Sequence, residues 1–173
     1  PITTQTYFVF PEGEERYSFP VVSLSCPTDS LFSFDRGIYV PGSALQEDNL
    51  VWSGNYFNRG SDWERSASLE YFVEGESVVN QTIGIRIHGG KTRGAAQKTL
   101  RLYARSSYGK KRLDYPFFRN KEQSSYKRLL LRTTMGAWTN TIFADVFAHQ
   151  AARDLNLEIQ EYQPVIVFIN GEY

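Results

Sequence analysis

Ile83, Ile85 and Ile87 alternate with Gly84, Arg86 and His88. This period of two is the mark of a strand with one buried and one open face. It recurs in Lys98–Arg105, where Leu100 and Leu102 face one way and Arg101, Tyr103 and Arg105 the other. Two such strands joined by a short glycine-bearing loop form an antiparallel pair with an apolar side and a cationic side. Further strands are expected at Thr4–Phe10, Val21–Ser25, Ser66–Val73, Tyr126–Arg132 and Tyr162–Ile169. An aromatic share of 15% favours sheet over helix.

One helix is expected near the C-terminal end. Phe143, Phe147, Ala151 and Leu155 recur every fourth residue with Val146 beside them. Thr139, Asn140 or Thr141 is placed to cap its start, and Asn156 suits the residue after its end. Residues 28–65 carry no clean period but hold four glycines, Pro41 and seven aromatics. They read as a long surface excursion pinned by aromatic side chains. The fold class is therefore α+β: a strand-rich antiparallel sheet with one main helix, in a single unit over 1–173. Asn170-Gly171 after the last strand is a strong hairpin signal. Glu172 and Tyr173 begin a return strand, so the chain reads as part of a larger domain, cut after a hairpin turn. An unpaired edge at that point invites an artificial oligomer.

Charge divides the chain more sharply than hydropathy does. Residues 1–85 hold 4 basic and 12 acidic residues, residues 86–132 hold 14 and 2, and residues 133–173 hold 1 and 5. A neutral protein with most of its cations in one central stretch builds a local positive field. That stretch serves either as an anion site or as a basic face paired with the acidic N-terminal third. Nucleic acid is not expected as a partner, because the acidic thirds repel a long polyanion. No apolar run approaches the roughly 18 residues of a membrane span. The lone Cys26 excludes an internal disulfide and reads as a small buried hydrophobe.

The stretch most suggestive of chemistry is the link between the two alternating strands, Gly89-Gly90-Lys91-Thr92-Arg93-Gly94 followed by Lys98. Glycines let backbone N–H groups approach an anion. Arg93 can fork onto two phosphate oxygens, and Lys91 and Lys98 add point charges. The order strand–loop–strand departs from a P-loop and is closer to a kinase-type glycine-rich hairpin followed by a strand lysine. An ordinary basic hairpin fits the same residues. His88, beside this loop, is a weaker ligand candidate. His149 lies off the helix's apolar stripe and reads as a solvated or packing residue. Asp145, His149 and Arg153 form a polar stripe on the same helix. Asp145 is a candidate carboxylate partner for Lys98, although a solvated face is the simpler explanation of the stripe.

From Pro20 onward the chain resembles the CotH family of spore-coat and secreted kinase-like proteins. The resemblance rests on Pro20–Ser25, Gly37–Val40, Trp63-Glu64-Arg65, the run Ile87–Arg93 continuing through Gln97–Leu102, and Val165–Tyr173 with its Asn-Gly-Glu-Tyr hairpin. Ala96 and Gln97 stand where the family often has Pro and Lys. The resemblance implies an atypical kinase-like fold, of which this chain is the N-terminal, nucleotide-facing part. It also implies a bacterial secreted or cell-surface location, ATP with Mg or Mn, and a protein phosphoacceptor. By position, Lys98 holds nucleotide phosphate, and Arg93 with Gly89, Gly90 and Lys91 forms the phosphate-facing loop. The family's metal-binding and catalytic aspartates lie beyond the Asn-Gly-Glu-Tyr hairpin. The chain is thus expected to be catalytically silent alone and to hold no metal ligands of its own.

A second expectation comes from the charge pattern rather than the resemblance. A non-catalytic extracellular module for an anionic polymer, glycan or protein would use Arg101, Tyr103 and Arg105 with Tyr108, Lys110, Lys111 and Arg112.

Overall fold

The computed structural model describes residues 4–9, 17–133 and 141–173. Among these residues eight strands follow in order: β1 (Val21–Ser25), β2 (Arg65–Val73), β3 (Glu76–Ile87), β4 (Leu100–Tyr103), β5 (Leu113–Asp114), β6 (Ser125–Tyr126), β7 (Arg128–Leu131) and β8 (Ile166–Ile169). Helices α1 (Thr28–Phe32) and α2 (Ala144–Ala151) complete the regular structure with several single 3-10 turns. Six strands form one sheet in the order β7-β4-β3-β2-β1-β8, and β5 pairs with β6. Every neighbour in the large sheet is antiparallel except β1 and β8, which run parallel. The protein is therefore a strand-rich α+β molecule with one main helix, its sheet mixed at one edge. Among the described residues no helix is long and apolar enough to cross a membrane.

The alternation expected from sequence sets the two faces of this sheet. Leu24, Leu69, Ile83, Ile85 and Leu102 are almost completely buried on one side, joined by Leu31 and Ile38 from the excursion and by Leu113, Phe117 and Tyr126. Burying each such aliphatic side chain contributes roughly 1.5–3 kcal/mol. Cys26 is buried as expected, its thiol donating to the Ser66 carbonyl at 3.3 Å. Burial pushes that thiol up from its usual pKa. The β2–β3 ladder runs from Arg65↔Ile85 to Val73↔Glu76, so β3 begins five residues before the expected Gln81. Positive φ at Glu74 and Gly75 lets the chain reverse in two residues.

The second half of the expected hairpin signal also appears. Asn170 and Gly171 have φ of 52° and 84°, and Ile169 and Glu172 exchange both backbone hydrogen bonds. The Asn170 side-chain carbonyl accepts the Cys26 N–H at 2.8 Å, which ties this turn to the end of β1.

Several expectations change. Thr4–Val9 is not a strand; Phe10 lies outside the described residues. The segment lies over the polar face at the β1–β2–β8 end. The Thr6 N–H goes to the Glu70 carboxylate at 2.6 Å, and Phe8 packs edge-on against Phe72 with ring centres 5.2 Å apart. The Thr6 N–H thus goes to a side chain instead of a ladder. The strand expected at Tyr126–Arg132 divides into β6 and β7, and the last strand shortens to Ile166–Ile169. In the excursion, Tyr39, Tyr56 and Trp63 pack against the core, and buried polar groups hold it as well. Asn55, 1% exposed, donates to the Phe34 carbonyl and accepts the Ala44 N–H. Arg65 reaches the carbonyls of Arg36 and Asp62. Phe34 and Trp52 are exposed.

Helix α2 departs most from its sequence. It begins after Phe143 with no side-chain cap. Thr139 and Asn140 lie outside the described residues, and Thr141 gives its backbone carbonyl to Phe143 instead. Asn156 does adopt the left-handed conformation, φ 54°, after a 3-10 turn at Arg153–Leu155. However, Phe143, Phe147 and Leu155 are 63–66% exposed, so the expected apolar stripe is not buried against the described sheet.

Candidate functional site: a cation-rich loop and sheet face

The link between β3 and β4 is a 3-10 turn at Lys91–Gly94 entered through Gly89 and Gly90. Gly89 has φ of 121°, a conformation that glycine alone takes without strain. The Arg93 N–H bonds the Gly90 carbonyl and the Ala95 N–H the Thr92 carbonyl, so these two donors close the turn itself. Gly90 and Lys91 are exposed at its tip.

Arg93 and Lys98, by contrast, are each only 6% exposed. The Arg93 guanidinium donates from Nε to the Gly89 carbonyl at 2.7 Å and from Nη1 to the carbonyls of Tyr56 and Asn58, both at 3.1 Å. It therefore clamps the excursion onto the loop. The Lys98 ammonium donates to the carbonyls of Arg93 (2.9 Å) and Ala95 (2.6 Å). It also lies 4.2 Å from the Tyr56 ring centre and 5.3 Å from that of Tyr39. Burial pulls its pKa down from 10.5 to about 8. The five loop residues singled out from sequence are thus close together, two of them turned inward onto backbone oxygens. The candidate pairing of Lys98 with Asp145 is not found. Asp145 forms an ion pair with Arg132, at the end of the edge strand, while Lys98 is enclosed by the loop. His149 accepts the Gln160 N–H at 3.3 Å, in keeping with a packing role.

Beside the loop, the polar face of β3, β4 and β7 gathers cations that sequence reading only partly identified. Register places Arg86 opposite Arg101 and Gly84 opposite Tyr103, which itself pairs with Arg128. The Tyr103 ring, 4% exposed, carries three guanidinium groups: Arg86 at 4.3 Å, Arg105 at 4.7 Å and Arg128 at 6.0 Å. Glu64 is the carboxylate set among them. It takes Arg105 in a two-pronged contact at 2.8 and 3.1 Å and lies 3.4 Å from Arg86 Nε. Gly84 makes this possible: a β-carbon there would stand 2.6 Å from the Tyr108 ring and clash with the Glu64 carboxylate. Burial first, then Glu64, pushes the Tyr108 hydroxyl pKa up.

His88 closes the face toward the loop. Its Nε2 lies 3.2 Å from Arg101 Nη2. Because a guanidinium can only donate, His88 accepts there and is neutral with its proton on Nδ1. Burial first, then Arg101, Arg93, Arg132 and Arg59, pulls its pKa down. Arg86, Arg128 and Glu64 were not singled out from sequence as binding groups. The alternation of β3 marked Arg86 and His88 as sharing a face, but only strand register sets Arg101 opposite Arg86. Among the described residues no group of three or more His, Cys, Asp or Glu side chains is placed to hold a metal ion. No family model, curated protein or solved structure matches the chain.

Proposed function

We propose that this chain is the nucleotide-facing part of a CotH-like, kinase-like domain that transfers phosphoryl groups from ATP to protein. The observation that carries the proposal is the β3–loop–β4 unit. A glycine-entered turn, an exposed Lys91 at its tip and Lys98 at the root of β4 lie within a field of arginines. Phosphate binding at Lys98 requires its ammonium to exchange the carbonyls of Arg93 and Ala95 for phosphate oxygens. In this reading, which rests on the family resemblance, Mg or Mn and the catalytic carboxylates are supplied by a catalytic half beyond the Asn-Gly-Glu-Tyr hairpin. The test is calorimetry with ATP and Mg²⁺ or Mn²⁺ on the 173-residue chain and on a version extended with such a half. Binding by the extended protein that Lys98→Ala removes supports the proposal. Binding indifferent to Lys98→Ala, or none in either protein, overturns it.

One observation favours a second reading, a binding module for an anionic polymer or glycan. Lys110, Lys111 and Arg112 are exposed in sequence next to the arginine-lined face and take part in no ion pair among the described residues. Salt-dependent retention on an anionic matrix, lost on reversing the charges of Lys110 and Lys111, is the expected result. Retention unaffected by the reversal removes this reading.

A further inference from the structure

We infer that Arg86, His88 and Arg101, side by side on the polar face of β3 and β4, form a binding site for a tetrahedral oxyanion, a phosphate or sulfate group. This site is separate from the loop that holds Lys98, and it does not rest on the nucleotide reading. None of its three side chains uses the loop glycines, and Lys98 is held by the carbonyls of Arg93 and Ala95.

The first argument is electrostatic. Arg86 and Arg101 are directly cross-strand partners. Residues so paired have β-carbons about 4.5–5.5 Å apart, and like charges there are destabilising. A fold offsets such a cost with a carboxylate or leaves it to a ligand. Glu64 is already engaged by Arg105, and Arg86 Nε, although 3.4 Å from it, is buried with no hydrogen-bond partner. Arg101 has no ion pair among the described residues and spends one N–H on the imidazole of His88.

The second argument is geometric. Arg86, His88 and Arg101 are half-buried, neither sealed in the core nor freely hydrated. The Tyr103 ring under Arg86 fixes one guanidinium from below, and the hydrogen bond to His88 fixes the other. A guanidinium fork carries paired donors that match the oxygens of a phosphate or sulfate, and each of these two is held in place by a protein partner. Partial removal from water strengthens that attraction relative to an exposed basic patch.

The third argument concerns His88. Its proton sits on Nδ1 while Nε2 accepts from Arg101, and the arginines around it disfavour a positive imidazole. A bound dianion reverses that balance, so His88 reports occupancy directly. Since the protein has only two histidines, His149 serves as an internal reference.

The test is an NMR titration of the two imidazole signals of the whole chain with inorganic phosphate and, in parallel, with sulfate, at constant ionic strength. The expected result is a saturable change at His88, with its titration midpoint moving to higher pH, while His149 stays still. Saturation by phosphate and sulfate alike assigns the site to any tetrahedral oxyanion, and saturation by phosphate alone narrows it to phosphate groups. Arg101→Gln is expected to weaken the response at least tenfold, Arg101→Lys to weaken it less, and Lys121→Gln, which removes a distant charge, to leave it intact. A His88 response that never saturates, that chloride reproduces, or that survives both Arg101 substitutions overturns the inference. Because Arg101→Lys keeps the charge, a folding failure of Arg101→Gln does not remove the test.

Discussion

Arg93 and Lys98 in the loop and Arg86 and Arg101 on the sheet face lie within one short stretch of sequence, yet their charges are met in different ways. In the loop, cations are turned inward onto backbone carbonyls and an aromatic pair. They serve as cross-links between the excursion, the turn and β4. On the sheet face, Arg86 and Arg105 stack on Tyr103 and share Glu64, while Arg101 spends one N–H on His88, leaving donor capacity unspent. A buried cation that lacks partners is costly, so the loop's arginine and lysine must be saturated by the protein itself. A half-buried cation still has water to fall back on, and it can exchange that water for a ligand.

That contrast is open to direct test. The largest effect is expected at Arg93. Arg93→Ala leaves the carbonyls of Gly89, Tyr56 and Asn58 without their donor and should lower stability by about 2–4 kcal/mol, read from urea unfolding. A loss below about 0.5 kcal/mol would mean that the loop cations are no more structural than those of the face.

Gly84→Ala comes next. The added methyl must displace Tyr108 and Glu64, and the expected destabilisation is about 1–3 kcal/mol. It should be accompanied by loss of the Arg105–Glu64 contact, which a double-mutant cycle with Glu64→Gln detects as non-additivity. Simple additivity would show that Gly84 does not hold the carboxylate in place.

The pH response of Lys98 sharpens the comparison further. Its pKa in the folded protein, about 8, lies below the usual 10.5 of the unfolded chain. Between these values the unfolded state binds the extra proton, so stability rises with pH across this window. Below about 8 both states are protonated and the burden of burying the ammonium is fully present. The urea midpoint of the wild-type protein should therefore climb between pH 8 and 10.5 relative to Lys98→Met, measured side by side. Parallel curves would place Lys98 with the hydrated cations.

The smallest effects belong to the sheet face and the helix. Arg101→Gln removes a like-charge neighbour of Arg86 and should change stability by less than about 0.5 kcal/mol, with a gain more informative than a loss. Phe147→Ser, in α2, should be equally mild, because that ring is 66% exposed. A large loss at Phe147 would mean that the helix face is covered in solution.

The hairpin signals and the faces of β3 and β4 were legible in the sequence, because turn chemistry and period-two alternation act over a few neighbouring residues. Asn170-Gly171 reverses the chain where its conformational freedom permits it. The loop residues Gly89 to Arg93 and Lys98 were legible as a cluster for the same reason. The direction in which Arg93 and Lys98 point was not. It depends on Tyr39, Tyr56 and Asn58, 35 to 59 residues earlier in the chain, which bring a ring cage and carbonyls to meet them. Helix α2 illustrates the opposite case. Its periodicity is clear, but periodicity specifies only which side of a helix is apolar and not whether anything packs on it.

By itself, then, the sequence determined where strands alternate, where the chain turns, that Cys26 is buried, and that the cations are concentrated between residues 86 and 132. Only the tertiary structure decided which cations meet carbonyls, which meet Glu64 and which face one another across β3 and β4. Alternation and turns are local properties of a few consecutive residues. Register and enclosure are set by pairing between segments far apart in the chain, and a one-residue shift in that pairing would send Arg86 and Arg101 to opposite faces.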